Sequence, residues 1–275
     1  VESLSAGLPA LEAWHSLYRG RLHRVRGDFV RALHELEQGL HVAQKHMLQD
    51  AGAQLCTLKT QLLQKLGRSV EADRACSDLE GWMHMAALEP CLQAHSRLTI
   101  ARSLLGRYEG TWPPSGTIPQ SLSDNLEVAE RLLEKLCRNQ DDLLNFTQLY
   151  KAQAKLLAGE LATASIVLDG AEKKMGKDAR ADHFRILLRG HLALEKKEWR
   201  EAEGFFKEYL GEEAPKSEAA PGDKVDRETQ WNGYVGLAQV HEGLADAEKS
   251  AQRQAAETVL ALENYRKSER VLDDW

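Results

Sequence analysis

One local pattern recurs along most of this sequence: an amphipathic helix, a short polar or glycine break, and a second amphipathic helix. The clearest copy is residues 178–211. Apolar residues recur at helical spacing over 184–194 and again over 199–210, with the polar stretch 195–198 between them. We therefore predict a helix pair here, with the two apolar faces packed together.

A glycine in the middle of the first helix of this copy needs an explanation. Gly190 costs a helix about 1 kcal/mol relative to alanine. Small residues stand at the same place in two other copies, Gly20 and Ala152. We predict that the paired helix approaches closely at these positions, where a larger side chain would not fit.

The breaks within the pairs are periodic. They fall at Gly27, Gly67, Gly106, Gly159, Lys197 and Gly243. Successive breaks lie 38 to 40 residues apart wherever no proline-bearing stretch intervenes. Two such stretches do intervene, 109–120 and 212–226, and we predict an inserted surface loop and a mobile loop there. Two helices per unit of about 40 residues are typical of an α-solenoid.

The predicted fold is therefore all-α, a single solenoid over residues 1–275. Its predicted repeats are 8–47, 50–87, 88–138, 141–176, 178–211 and 227–275, the last with a long terminal helix. The chain opens on Val1 and ends at Trp275 inside a helical pattern. We accordingly expect a fragment or a processed chain.

Cysteine usage and hydropathy bear on the cellular location. Four cysteines are widely spaced and form no C-x-x-C motif, so we expect free buried thiols rather than disulfides or a zinc site. No run of 18 apolar residues occurs, and we therefore expect no membrane span. These features favour the cytoplasm or another reducing intracellular compartment, the nucleus included.

Three segments, 20–40, 152–171 and 190–210, resemble tetratricopeptide (TPR) repeats. The matching residues are the small Gly20, Ala152 and Gly190; the bulky Phe29, Leu161 and Trp199; the alanines Ala32, Ala164 and Ala202; and the large Leu36, Leu168 and Phe206. The units are longer than the usual 34 residues, the closing proline is absent, and Lys197 replaces the turn glycine. They look more like the long TPRs of MalT-type activators, kinesin light chains and cohesin-loader scaffolds.

The resemblance implies a right-handed α-α superhelix whose first helices line a concave groove. It implies a non-catalytic scaffold that binds a partner helix or an extended peptide there. The implied groove residues are Leu17, Arg21, Arg24, Leu149, Gln153, Leu156, Leu187, His191 and Leu194. The alternative is a regulatory or sensor arm of a larger protein, such as a MalT-like activator or a TPR-linked protease. Leu17 and Arg21 replace the Lys and Asn of the chaperone-binding carboxylate clamp, which argues against chaperone C-termini as partners.

Charged residues suggest the chemistry of a partner. Arginines cluster between residues 19 and 31, and Arg21 and Arg24 share a helix face. They could bind an acidic peptide or a phosphate through bidentate contacts, or they could simply form a solvated face. The net charge of −6 argues against direct nucleic-acid binding.

Motifs for metal binding and catalysis are missing from the sequence. The ten histidines include no H-E-x-x-H pair, and we find no G-x-S-x-G or glycine-rich phosphate loop. We therefore predict no metal site, no cofactor and no enzymatic activity.

Overall fold

The computed structural model describes residues 8–85, 88–108, 118–137, 139–174, 178–211 and 227–273. These residues form twelve α-helices, and none of them lies in a β-strand. The predicted all-α class is confirmed. Most of the predicted loop 109–120 and all of the predicted loop 212–226 lie outside the described residues.

The twelve helices of the described residues follow one another along the chain. They are α1 Pro9–Val25, α2 Phe29–Lys45, α3 Gln49–Lys65, α4 Ser69–Met85, α5 Pro90–Gly106, α6 Gln120–Leu136, α7 Asp141–Leu157, α8 Leu161–Lys174, α9 Ala179–Glu195, α10 Trp199–Tyr209, α11 Arg227–Ala247 and α12 Ala251–Asp273. Helices α1 to α7 and α9 each have 17 residues. A 17-residue helix followed by a three-residue turn gives half of the 40-residue period.

Tight turns separate the helices of a pair at four of the predicted breaks. Gly27, Gly67 and Gly159 have φ values of 77°, 67° and 74°, and Lys197 has 62°. This left-handed conformation costs glycine little and is uncommon for other residues. The match of Lys197 to the glycines shows that the turn geometry is kept even where the residue type changes. Asp28 caps α2, its Oδ1 accepting from the Arg31 amide at 3.2 Å.

Two glycines illustrate a second use of the residue, close helix approach. A Cβ added to Gly190 would lie 2.9 Å from the Phe206 ring, so the predicted close approach is confirmed. Gly243, in contrast, does not end a helix as we predicted; α11 continues through it to Ala247. A Cβ there would lie 2.5 Å from the Trp199 ring. Gly243 therefore gives α10 room to pack, and the break comes after residue 247.

Two compact units divide the chain, residues 1–150 and residues 151–275. In the first unit α1 packs on α2, α2 on α3, α3 on α4, α4 on α5 and α5 on α6; α3 also contacts α1 and α5. In the second unit α8 to α12 pack in the same sequential way, and α9 also contacts α11. Contacts between a helix and both its neighbour and the next-but-one helix are compatible with stacked helical repeats. One continuous solenoid over the whole chain stays a prediction.

The cysteines depart from the expectation of four free thiols. Cys91 and Cys137 form a disulfide, with their Cα atoms 5.5 Å apart. The first lies near the start of α5 and the second follows the end of α6, so the antiparallel packing of these helices brings them together. Cys56 and Cys76 are free and buried as expected, and burial raises the pKa of Cys56 to about 12.

Among the described helices, none combines the length and the apolar character that crossing a membrane requires.

Candidate functional site

Six polar side chains make hydrogen bonds between α1, α3 and α5, the first helices of the first three pairs. We call this group the polar face; its members are Arg21, Arg24, Gln54, Gln61, His95 and Thr99. Helix α3 contacts both α1 and α5; its Gln54 reaches a side chain of α1, and its Gln61 reaches side chains of both neighbours.

Gln61 is the central member of the polar face. Its Oε1 accepts a hydrogen bond from Arg24 Nη1 at 3.5 Å. Its Nε2 donates to Thr99 Oγ1 at 3.2 Å and lies 3.0 Å from His95 Nε2. One amide side chain therefore links α1 to α5 across α3.

Helical spacing places these residues together. Arg21 and Arg24 are three apart on α1, and Gln54 and Gln61 are seven apart on α3, spacings that return to the same helix face. Arg21 Nη2 donates to Gln54 Oε1 at 3.3 Å. Arg102, exposed and seven residues after His95, extends the same face of α5.

The polar face is positively charged. None of its six members carries a carboxylate, and no described carboxylate forms an ion pair with Arg21 or Arg24. The pKa of His95 is lowered, first by burial and then by repulsion from these two arginines. A neutral imidazole beside two exposed guanidinium groups leaves a local excess of positive charge.

The nine groove residues that the TPR resemblance implied have different surroundings. The exposed ones are Arg21 and Arg24; the buried ones are Leu17, Leu149, Gln153, Leu156, Leu187 and Leu194; His191 is partly buried. The leucines fill the cores of their own units, which leaves little of them for a partner. Gln153 Oε1 is buried and accepts no hydrogen bond from the described residues. A partner-binding role for these nine residues stays a prediction.

Sequence reasoning missed four members of the polar face: Gln54, Gln61, His95 and Thr99. A signal was present. Gln54 and Gln61 lie seven residues apart on α3, and His95 and Thr99 lie four apart on α5, so the two residues of each set share a helix face. What the sequence does not give is the side-by-side contact of α1, α3 and α5, which turns three separate faces into one.

His191 predicts a pH dependence of stability. Its ring meets Phe206 edge-to-face at 5.4 Å, and burial lowers the pKa of His191 to about 4. In the unfolded chain His191 takes up a proton near pH 6.5. The stabilising contribution of the neutral ring is therefore fully present above that pH and is lost as the pH falls toward 4. Between pH 7 and pH 5 we expect the free energy of unfolding of wild type to fall by about 1–2 kcal/mol more than that of His191→Leu. Urea unfolding at both pH values measures this, and equal losses would contradict the assignment.

A separate cleft of 670 Å³ lies between α1 and α2. Its lining includes the carboxylates Glu12 and Glu35, the histidines His15, His34 and His41, and the cation Arg19, which pairs with Glu35 at 2.9 Å. Within the described part of the chain, no group of three or more His, Cys, Asp or Glu side chains is placed to hold a metal ion. Because acidic and basic side chains both line the cleft, it offers less charge selectivity than the polar face.

Comparison with known proteins found no family model that matches this chain and no curated protein that matches it. The similarity to TPR repeats consequently rests on the residue pattern and on the compatible helix packing.

Proposed function

We propose that this protein is a non-catalytic interaction scaffold, a right-handed TPR-like solenoid whose concave side binds an acidic segment of a partner protein. The observation that carries the proposal is the positive polar face on α1, α3 and α5. In a TPR-like solenoid the first helices of successive pairs line the concave side, and the six residues lie on three such first helices.

The chemistry of the polar face suits carboxylates. Among the described residues, Arg21 and Arg24 donate long hydrogen bonds to neutral glutamine oxygens, at 3.3 and 3.5 Å. A partner carboxylate offers shorter, bidentate bonds from a full negative charge, which are stronger than bonds from a guanidinium to a neutral amide oxygen. Gln54 and Gln61, released from the arginines, could then bond to the partner's backbone. Binding thus exchanges weak internal contacts for stronger ones at little conformational cost.

The helix packing supports the solenoid part of the proposal. Helix pairs joined by left-handed turns recur: Gly27 and Gly67 are 40 residues apart, and Gly159 and Lys197 are 38 apart. Helix α3 also contacts the first helix of the pair on either side. Such units cannot bury their apolar faces alone and gain stability by stacking.

Charge reversal at Arg21 and Arg24 is the direct test. We expect Arg21→Glu with Arg24→Glu to weaken partner binding at least about tenfold, because attraction becomes repulsion at the centre of the site. The measurement is affinity purification with mass spectrometry, followed by titration of the recovered partner. Since both side chains are exposed, the melting temperature should stay close to that of wild type.

Arg131→Glu with Lys135→Glu is the matched control. Both residues are exposed on α6, and the double change alters the net charge by the same amount. The control should bind the partner as wild type does. Equal binding by all three proteins would place the partner site elsewhere.

A further inference from the structure

Helix α1 presents a row of apolar side chains to solvent. Leu11, Tyr18, Leu22 and Val25 are 51%, 59%, 47% and 81% exposed. We call them the apolar stripe. Isolated exposed apolar residues are ordinary, whereas several on one helix face indicate an interaction site.

Helical geometry shows that the stripe is a single face. Its members are spaced seven, four and three residues apart, which returns each to the same side of the helix. The buried side of α1 is different: Ala13, Leu17 and Gly20 face the core. The stripe spans fifteen residues, and the fourteen rises of 1.5 Å between its ends give about 21 Å of helix.

Aromatic and charged groups border the stripe. Trp14 packs on the first-unit core and lies 6.5 Å from Tyr18, ring centre to ring centre. The Arg21 guanidinium sits 5.7 Å from the centre of the Tyr18 ring, in cation–π range. Arg21 therefore belongs to the polar face and to the rim of the stripe, so the two surfaces are continuous.

The charge around the stripe is one-sided. Helix α1 and its C-cap carry the arginines Arg19, Arg21, Arg24 and Arg26 against the single carboxylate of Glu12. Arg19 is paired with Glu35, while Arg21, Arg24 and Arg26 are exposed. An apolar centre with a basic rim is complementary to an apolar seam with acidic flanks.

We propose that the apolar stripe docks an amphipathic helix of another protein, a helix that carries acidic residues beside its apolar seam. This rests on the proposed function and specifies its partner. A straight row about four turns long suits a helix lying alongside α1. The adjoining Gln54 and Gln61 offer directional hydrogen bonds, which favour a protein over a lipid surface.

The test is a display selection against the full chain. The library consists of 18-residue peptides with leucines fixed at i, i+3, i+4 and i+7 and with flanking positions randomised among Glu, Lys, Ser and Gln. We expect enriched peptides to carry glutamate flanks. In fluorescence anisotropy, Leu22→Glu should weaken their binding at least about tenfold. Val30→Glu on α2 is the control. Val30 is 81% exposed and is not part of the apolar stripe, so this variant should bind the peptides as wild type does.

A charge swap adds an independent readout. Arg21→Glu with Arg24→Glu should lose the glutamate-flanked peptides and bind the lysine-flanked versions instead. If Leu22→Glu lowers the melting temperature, Val25→Glu replaces it, because that side chain is the most exposed of the stripe.

Several results would overturn the proposal. These are the absence of enriched peptides, enrichment of basic flanks, or binding that ignores Leu22→Glu. Peptides sensitive to the arginine changes but not to Leu22→Glu would leave the proposed acidic-partner function standing without the stripe. Peptides sensitive to neither would remove both from this surface. A wild-type dimer that Leu22→Glu dissociates in sedimentation would make the stripe a self-association site, and Leu22-dependent flotation with anionic vesicles would make it a membrane site.

Discussion

Truncating Phe206 to alanine is expected to lower the free energy of unfolding by about 3–5 kcal/mol. Phe206 on α10 is fully buried. Its ring fills the space left by the missing side chains of Gly190 on α9 and Gly236 on α11, where an added Cβ would come within 2.9 and 2.3 Å of it. Alanine would leave a cavity between three helices that helix packing cannot fully close. Urea unfolding followed by circular dichroism measures the loss.

Glycine substitutions supply the reciprocal test. Gly236→Ala should be destabilising by about 1–3 kcal/mol, since the ring cannot move out of the core. The double variant Gly236→Ala with Phe206→Ala should lose less free energy of unfolding than the two single variants together, because the cavity accepts the new methyl group. Gly204→Ala on α10 is the control: nothing lies within 4 Å of its added Cβ, so helix propensity should make it neutral or slightly stabilising. Strictly additive effects of Gly236→Ala and Phe206→Ala would contradict the contact between these two residues.

Removing the disulfide is expected to have the second large effect. Cys91→Ser with Cys137→Ser should lower the free energy of unfolding by about 2–4 kcal/mol, since the bond closes a loop with a sequence separation of 46 residues and restricts the unfolded chain. The loss should appear in chemical unfolding without reductant. Adding dithiothreitol should bring wild type close to the variant and leave the variant unchanged.

Thiol counting gives the matching control. Cys56 and Cys76 are free, so alkylation of the unfolded, unreduced chain should modify two cysteines, and reduction should raise this to four. Four modified cysteines without reduction would contradict the bond. Because half of the cysteines are paired, cysteine usage no longer favours a reducing compartment, and the cytoplasmic location stays a prediction.

The helix pairs were predictable because their signals are local. Apolar spacing marked the helices, and Gly27, Gly67 and Gly159 marked the left-handed turns. The left-handed turn at Met47, with φ of 53°, carries no comparable signal, because nothing in that residue type requires the conformation. Gly243 was misread because a glycine serves equally well as a helix end and as a close-packing site; only the contact with Trp199 distinguishes them.

The candidate site was predictable only in part. The spacing of Arg21 and Arg24 was enough to suggest an acidic partner, but Gln54, Gln61 and His95 join them through contacts between helices. The apolar face of α1 was also visible in the sequence. Periodicity alone does not say which side of a helix meets the core, and the structure buries Leu17 while exposing Leu22.

Small-angle scattering of the purified chain tests the central claim most directly, that stacked helix pairs form an open solenoid that presents an extended binding face. A compact domain of this length would have a radius of gyration of about 19 Å. The solenoid predicts a value well above this and a distance distribution with a long tail. A radius near 19 Å with a symmetric distribution would contradict it.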